Sequence, residues 1–455
     1  MSAIERELRA LCGADSLIDS RTREYLHDAT EHEGLRGRAA AVVAPSSEEA
    51  LARVMAWCFG HDVPMVPRGG GTGFAGGAVP FGGEVVISTE RLDRVLEIEP
   101  GQWRMRVEAG VRTATVHRLA REHGLLYPPD PGAAESSMIG GNIATNAGGP
   151  HAFKYGVTGA WVMGLRAVLP NGERVEVGGP VRKDVAGYDL KSLLIGSEGT
   201  LGVITSAWLR LTPAPEASLP LAAVYADAEA GIEALNSVLG SGVVPAALEY
   251  LDAGALAAAA GAFPMPLPED AAFMVIVEAD GAEVQARADA ASLRLALAPG
   301  ALAVYAPDGR KSIEALWRWR DGVSHAVAAR RGGKMSEDIA VPIERLGEAI
   351  RRTTEIGAAH GLEACSWGHA GDGNLHSTFM LDARNQGEVE RARAAAHELF
   401  EMALELGGTV TGEHGIGWVK RGQLERQLGP AAMALHREIK RAFDPKGLMN
   451  PGKKA

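Results

Sequence analysis

Residues 67–80 read PRGGGTGFAGGAVP, and a strand-like run, GEVVIS, follows almost at once. The stretch holds a formal G-x-G-x-x-G at Gly71, Gly73 and Gly76. A dinucleotide fingerprint of the doubly wound type must open a helix and meet an acidic residue about 20 positions later. Pro80 and Gly82-Gly83 leave no room for that helix, and no G-K-[ST] is present, which excludes both a Rossmann site and a P-loop. What remains is a loop framed by two prolines, rich in backbone N–H groups, with a guanidinium at Arg68. Such a nest suits a pyrophosphate.

The loop closes a β-α-β unit. Ala41–Ala44 reads as a strand, and Ser46 or Ser47 caps a helix with Glu48 and Glu49 in its first turn and Leu51, Val54 and Met55 on its apolar face. Val63–Val66 is the second strand. Further strands are expected at GEVVIS, VLEIEP, RMRVEAG, Val162–Leu169, Arg174–Val177 and Gly202–Leu211, with a helix over Thr113–Gly124. The first 40 residues read as polar helix, with a loop near Glu31–Gly37. Two more glycine-rich segments read as loops, IGGNIATNAGG (Ile139–Gly149) and GSEGTLGVIT (Gly196–Thr205). All three precede Pro213-Ala-Pro215, the best linker signal. Together they suit one long ligand held along its length, and a flavin dinucleotide is long enough. Beyond the prolines, alanine-rich helices (Asp227–Leu239, Glu283–Leu297) alternate with strands such as Phe273–Glu278. A long helix, Gln386–Glu405, precedes a turn-like tail.

With 455 residues the chain is long enough for two or more domains. A net charge of −11 excludes a general nucleic-acid binder, and an anionic substrate needs local cations. Cys12, Cys58 and Cys365 lie far apart without a C-x-x-C, which excludes an iron–sulfur cluster or cysteine-type zinc site in this chain. The polar N-terminus is unlike a signal peptide, and no apolar run approaches the roughly 18 residues of a membrane span. A cytoplasmic protein, or one peripheral to a membrane through a partner, is expected.

Two later segments carry chemistry. HAGDGNLH (His369–His376) and GEHGIG (Gly412–Gly417) place three histidines, Glu413 and Asp372 among five glycines. Two imidazoles and a carboxylate make a site for a borderline divalent metal, and a further histidine beside it can act as a base near neutral pH. Taken alone, these segments fit a metal-dependent hydrolase equally well.

The strings PRGGGTGFAGGAVP, YPPDPGAAESSMIGGNIATNAGG, KYGVTG, GYDLKSLLIGSEGTLGVIT, HAGDGNLH, GEHGIG and DPKGLMNPGK, in this order, resemble the vanillyl-alcohol-oxidase type of FAD-linked oxidases, and within it the D-2-hydroxyacid dehydrogenases. The resemblance runs from about Ala41 to Pro451. It implies an α+β fold: a two-subdomain FAD-binding domain over 41–213, a substrate-binding cap with an antiparallel sheet and helices over 214–410, and a C-terminal segment, 411–455, that completes the active site. Residues 1–40 precede them.

By this resemblance Pro67, Arg68, Gly69, Gly70, Gly71, Thr72, Gly76 and Gly77 wrap the FAD pyrophosphate. Pro129, Asp130, Ser136, Gly140, Gly141, Asn142 and Thr145, followed by Gly148 and Gly149, line the ribityl chain and isoalloxazine. Glu198, Gly199 and Ile204 lie near the adenosine, and Asn450 returns to the flavin. No histidine stands in the first loop, so the FAD is expected to be noncovalent. His369, His376 and Glu413 match metal ligands, for zinc or manganese. His414 matches the base, and Arg320 and Lys334 match binders of the substrate carboxylate. In 2-hydroxyglutarate enzymes an asparagine usually follows the second metal histidine by two positions. Thr378 stands there instead, which favours glycolate, lactate or another monocarboxylate.

The mechanism so implied takes a hydroxyl proton to His414 and a Cα hydride to the flavin N5, with the metal acidifying the hydroxyl. Arg320 offers a bidentate fork to the carboxylate, while Asp372 and Asn374 either orient ligands or shape their turn. The electrons then need an outside acceptor: oxygen, a quinone, or an iron–sulfur or electron-transfer protein. A homodimer is compatible with this reading. A noncatalytic flavin subunit of a larger complex is the other alternative.

Overall fold

A computed structural model describes residues 1–30 and 35–454. Glu31–Gly34, within the loop expected near Glu31–Gly37, lie outside the described residues. The chain divides into two compact units: Met1–Gly148, Gly156–Pro213 and Glu413–Ala455 form one, and Gly149–Tyr155 with Ala214–Gly412 the other.

The first unit contains a four-stranded sheet and a five-stranded one. In the smaller sheet Ala41–Val43 and Met65–Arg68 both pair parallel to Val85–Ser88, which lies between them. The helix Glu48–Gly60 crosses between the outer two. It begins where Ser47 Oγ accepts the Ala50 N–H at 3.2 Å. It buries Leu51, Val54, Met55 and Cys58 on one stripe, each large apolar side chain contributing about 1.5–3 kcal/mol. In residues 1–40 the only α-helix among the described residues is Ala3–Cys12, which packs Leu8 into this core. Leu17–Ile18 then adds an antiparallel edge to Ala41–Val43. Residues 13–30 otherwise run through short turns rather than the expected helix, because their polar groups are used elsewhere, as described below. The larger sheet is antiparallel, ordered Val95–Glu99, Arg104–Glu108, Val203–Arg210, Val162–Val168, Arg174–Gly178.

One expected loop is helical. Ile139–Thr145 forms a short α-helix ended by Asn146 in a left-handed conformation (φ 55°). Glycine normally weakens a helix. Here Gly140 is needed for packing, since a Cβ on it would lie 2.6 Å from the Ala109 Cβ. Burial of Ile139 and Ile143 outweighs the propensity cost.

The second unit is built on a seven-stranded, wholly antiparallel sheet. Its order is Ala301–Tyr305, Ala217–Tyr225, Phe273–Gly281, Ala247–Leu251, Glu363–His369, Asn374–Met380, Lys334–Ala340. The helices Ala228–Gly240, Glu283–Leu297, Leu346–Ala359 and Gln386–Glu405 pack on the sheet. The apolar cluster around Leu251, Ile276, Leu316, Trp319 and Trp367 joins it to Ala253–Ala259, Arg310–Asp321 and Val323–Arg331. No described helix is long and apolar enough to cross a membrane.

Candidate active site

In the first unit the glycine loop lies on the second glycine segment. Gly70 allows the contact, because a Cβ there would come within 2.2 Å of the Ser136 carbonyl oxygen, and Gly69 faces Gly141. Gly70→Ala is therefore expected to push the loop off this cradle. Overpacking of this kind costs about 1–3 kcal/mol, so the FAD dissociation constant should rise roughly 5- to 150-fold in a fluorescence titration. An unchanged constant would separate this contact from cofactor binding. Asn142 Nδ2 donates to Thr113 Oγ1 at 2.7 Å, and Thr145 Oγ1 donates to the Gly141 carbonyl at 3.1 Å, so both polar groups brace the cradle. Gly199 backs onto the Pro67 ring, and Ile204 is buried in the strand Val203–Arg210. The His117 ring engages the Pro129 carbonyl at 2.8 Å. The nearby Tyr127 hydroxyl is buried with no hydrogen-bond partner among the described residues. These features fit a flavin dinucleotide.

The rest of the loop is laced by Arg68, by residues 27–30 and by the tail. Arg68 lies beneath it, donating Nη1 to the His27 carbonyl at 2.8 Å under Gly71. Thr30 Oγ1 accepts the Gly76 N–H at 2.7 Å, and Ala29 N–H donates to the Gly73 carbonyl at 3.1 Å. From the tail, Asn450 Nδ2 donates to the carbonyls of Gly77 (3.0 Å) and Glu198 (2.8 Å). Lys453 Nζ donates to Gly77, Val79 and Asn450 Oδ1, and burial pulls its ammonium down to about 8. No sequence signal beyond DPKGLMNPGK pointed to Lys453, and none pointed to residues 27–30.

GEHGIG also belongs to this unit from Glu413 onward. The His414 ring packs at 4.7 Å between centroids on Phe74 of the glycine loop, and its Nε2 lies 3.9 Å from Glu413 Oε1. The Glu413 carboxylate in turn stands against Gly148, where a Cβ would be 2.7 Å from Oε2. The candidate base and one candidate metal ligand thus sit beside the candidate flavin segments. Lys420 is buried, and the Arg421 guanidinium stacks 3.4 Å from the Trp418 ring centre.

In the second unit HAGDGNLH is a tight hairpin. The strand Glu363–His369 ends in a 3-10 turn, Gly373 takes φ 65°, and Asn374–Met380 returns antiparallel, with Trp367 opposite His376. Strand alternation puts His376 and Asn374 on one face. The two histidine rings meet edge-on with centroids 5.6 Å apart, both buried. Asn374 Nδ2 donates to Asp338 Oδ1 at 2.7 Å and to the Ile339 carbonyl at 2.8 Å, so it shapes the turn. Asp338 Oδ2 accepts Thr411 Oγ1–H at 2.8 Å and the Gly412 N–H at 2.9 Å, which anchors the chain one peptide bond before Glu413.

The residue that sequence reasoning missed is Glu249. It is fully buried on the neighbouring strand, directly opposite His369. Its Oε1 lies 2.6 Å from His369 Nδ1. A carboxylate only accepts, so Nδ1 carries the proton and Nε2 presents its lone pair. Its other oxygen takes Arg320 Nε at 2.8 Å and Nη2. Burial alone would raise the Glu249 carboxyl, but the Arg320 charge and the His369 ring hold it below the usual carboxylate range. Two donors of Arg320 are thus committed to an internal acid. Lys334 Nζ donates to Ser324 Oγ at 2.8 Å and lies 5.2 Å from the Trp367 ring centre. Thr378 is buried and bonded to Ser336 Oγ at 2.8 Å. Trp317 and Trp319 pack and donate, to Glu278 Oε2 and the Ala259 carbonyl.

A family described as "FAD linked oxidases, C-terminal domain" matches residues 214–454, and one described as "FAD binding domain" matches residues 39–178. The chain belongs to the FAD-linked oxidases. This FAD-linked oxidase is 37% identical over 453 residues to the glycolate oxidase subunit GlcD of Bacillus subtilis, covering 99% of this chain and 96% of that one. It is 36% identical over 418 residues to a D-lactate dehydrogenase of Archaeoglobus fulgidus, covering 90% of each. A D-2-hydroxyglutarate dehydrogenase of Xanthomonas citri pv. viticola is 36% identical over 425 residues, covering 91% and 88%. The solved structure of p-cresol methylhydroxylase superposes with a TM-score of 0.81 at 18% identity, over 99% of this chain and 96% of that one, which shows a shared fold. The FAD-linked oxidase is accordingly an FAD-dependent oxidoreductase of the 2-hydroxy-acid group, with the mixed two-domain fold and antiparallel sheet that the motifs implied.

Proposed function

We propose that this FAD-linked oxidase converts a small 2-hydroxy monocarboxylate, of the glycolate or D-lactate class, to the 2-oxo acid. The observation that carries this reading is His369, held by Glu249 through Nδ1 so that Nε2 keeps its lone pair, with its ring edge-on to His376. Bound FAD would supply a hydride acceptor at the flavin N5, and a bound divalent ion, zinc or manganese, would supply a Lewis acid.

The protein's own residues do the rest. His369, His376 and Glu413 would hold the ion, two imidazoles and a carboxylate being a donor set suited to a borderline metal. His414 takes the substrate hydroxyl proton. Recognition of the carboxylate falls to Lys334, a buried ammonium that donates to Ser324 Oγ and lies over the Trp367 ring. Arg320 acts indirectly by holding Glu249. Thr378 supports a monocarboxylate, because its hydroxyl is turned to Ser336 and offers no amide to a second carboxylate. The electrons leave to an external acceptor. Only three cysteines are present, all buried, fewer than the four thiolates that an iron–sulfur cluster needs. A partner subunit carrying the acceptor agrees with the naming of the Bacillus subtilis relative as a subunit.

The test is anaerobic mixing of FAD-loaded protein with glycolate, both lactate enantiomers and D-2-hydroxyglutarate, with and without a chelator. Bleaching of the oxidised flavin by glycolate or D-lactate, lost on chelation and restored by zinc or manganese, is the expected result. Bleaching by D-2-hydroxyglutarate alone would overturn the substrate class, and silence across the panel would favour a noncatalytic subunit.

A further inference from the structure

Glu198, in GSEGTLG, sits at a junction of the first unit. Its backbone is left-handed, φ 54°, which is disfavoured for a residue with a Cβ. Something must hold it there, and the hydrogen bonds show what. Its N–H donates to the Ala144 carbonyl of the flavin-cradle helix at 2.7 Å, and its carbonyl accepts from Asn450 Nδ2 at 2.8 Å. Its buried carboxylate turns to the GEHGIG segment. Oε1 accepts the Ile416 N–H at 3.1 Å, Oε2 accepts the Gly417 N–H at 2.6 Å, and Lys454 Nζ lies 2.9 Å from Oε1. One side chain thus binds two successive amides of the GEHGIG segment, two and three residues beyond His414.

The surroundings make this grip consequential. His414 is followed by Gly415 at φ 85°, and Gly417 takes φ 48°. A segment with glycine on that spacing has broad backbone freedom. Two charge-assisted bonds from one carboxylate remove it, because they set the distance and the plane of two consecutive peptides at once. The fit leaves no slack, since a Cβ on Gly415 would lie 2.9 Å from the Glu198 carboxyl carbon. Glu198 is itself bonded to the cradle helix, so the His414 loop is referenced to the cradle rather than to solvent.

We infer that Glu198 is a positioning residue for the reaction: it fixes the His414 imidazole relative to the flavin cradle by clamping Ile416 and Gly417. The inference rests on the reading of His414 as the base. It gives the carboxylate a task different from contact with the adenosine end.

The test uses the full chain. In Glu198→Gln one acceptor becomes an NH2 that faces a backbone N–H, so the clamp opens. Hydrogen exchange of the Ile416 and Gly417 amides, slow in the parent protein, should become fast in the variant, with or without FAD. The FAD and substrate dissociation constants should stay within about threefold. Flavin reduction at saturating substrate should slow roughly 10- to 100-fold, the range expected for an ångström-scale misplacement. In a His414→Ala background the same substitution should cost nothing further, because it acts through a side chain already removed. Glu198→Asp, which keeps the charge with a shorter reach, should be intermediate, and it serves if the glutamine variant does not fold. Normal reduction by Glu198→Gln, or an equal slowing in the His414→Ala background, would overturn the inference. If His414→Ala itself reduces flavin normally, the base assignment fails first, and this inference with it.

Discussion

His414→Ala is expected to retain FAD and to lose substrate-driven flavin reduction by roughly 10²- to 10⁴-fold, the usual contribution of a positioned general base. The prediction follows from location and chemistry. His414 is partly buried, packs on Phe74 of the glycine loop and stands 3.9 Å from Glu413 Oε1. Its neighbours Gly415 and Gly417 supply no side chain to replace it. Removing the ring takes away none of the hydrogen bonds that brace the cradle at Asn142, Thr145 and Asn450, so cofactor retention should be unaffected. Stopped-flow absorbance under anaerobic conditions reads the reduction step directly, free of acceptor chemistry. Bleaching at the parent rate would take His414 out of the mechanism.

Glu249 is expected to give the second large effect, in two separable forms. Glu249→Ala leaves the Arg320 charge buried without its acid and the His369 ring without its acceptor. Breaking a buried pair from one side costs about 3–5 kcal/mol. The unfolding transition of the second unit, followed by denaturant titration, should move accordingly. Glu249→Gln keeps an oxygen and the volume but no longer enforces a proton on Nδ1. Loss of such a ligand-orienting partner typically weakens metal binding 10- to 100-fold. Calorimetric titration of metal-free protein with zinc or manganese measures this without reference to turnover. A Glu249→Gln protein that binds metal as tightly as the parent would show that the His369–Glu249 contact is only structural.

The two substitutions bear on how far this protein was readable from its sequence. The helix over Glu48–Gly60 was, because its cap, its acidic first turn and its apolar stripe all lie within 14 residues of one another. The pairing of His369 with His376 was readable for the same reason: a hairpin with alternating side chains brings both rings to one face. The helix at Ile139–Thr145 was not. Its glycines read as a loop by propensity, and only the approach of Ala109 shows why glycine is needed there. The lacing of the glycine loop by Asp28, Ala29 and Thr30 was hidden as well, since a polar run in residues 1–40 looks like solvated helix until its partners are seen.

Arg320 shows the limit most clearly. Its sequence context offered a guanidinium in an acidic protein, and an anionic substrate was the natural partner. The partner it has is Glu249, 71 residues away in the chain and opposite His369 on the next strand. The sequence alone determined the inventory: glycine loops without a following helix, a histidine–carboxylate set, a candidate histidine base, and no cluster-forming cysteines. These depend on residue type and short spacing, which local chain geometry preserves. Only the tertiary structure decided which way each buried charge turns. A charge removed from water must find its opposite among whatever strands the fold lays beside it, and strand neighbours are set by pairing across the whole chain. Thus Glu198 clamps Ile416 and Gly417, Glu249 holds both Arg320 and His369, and Asp338 anchors Thr411 and Gly412 beside Asn374.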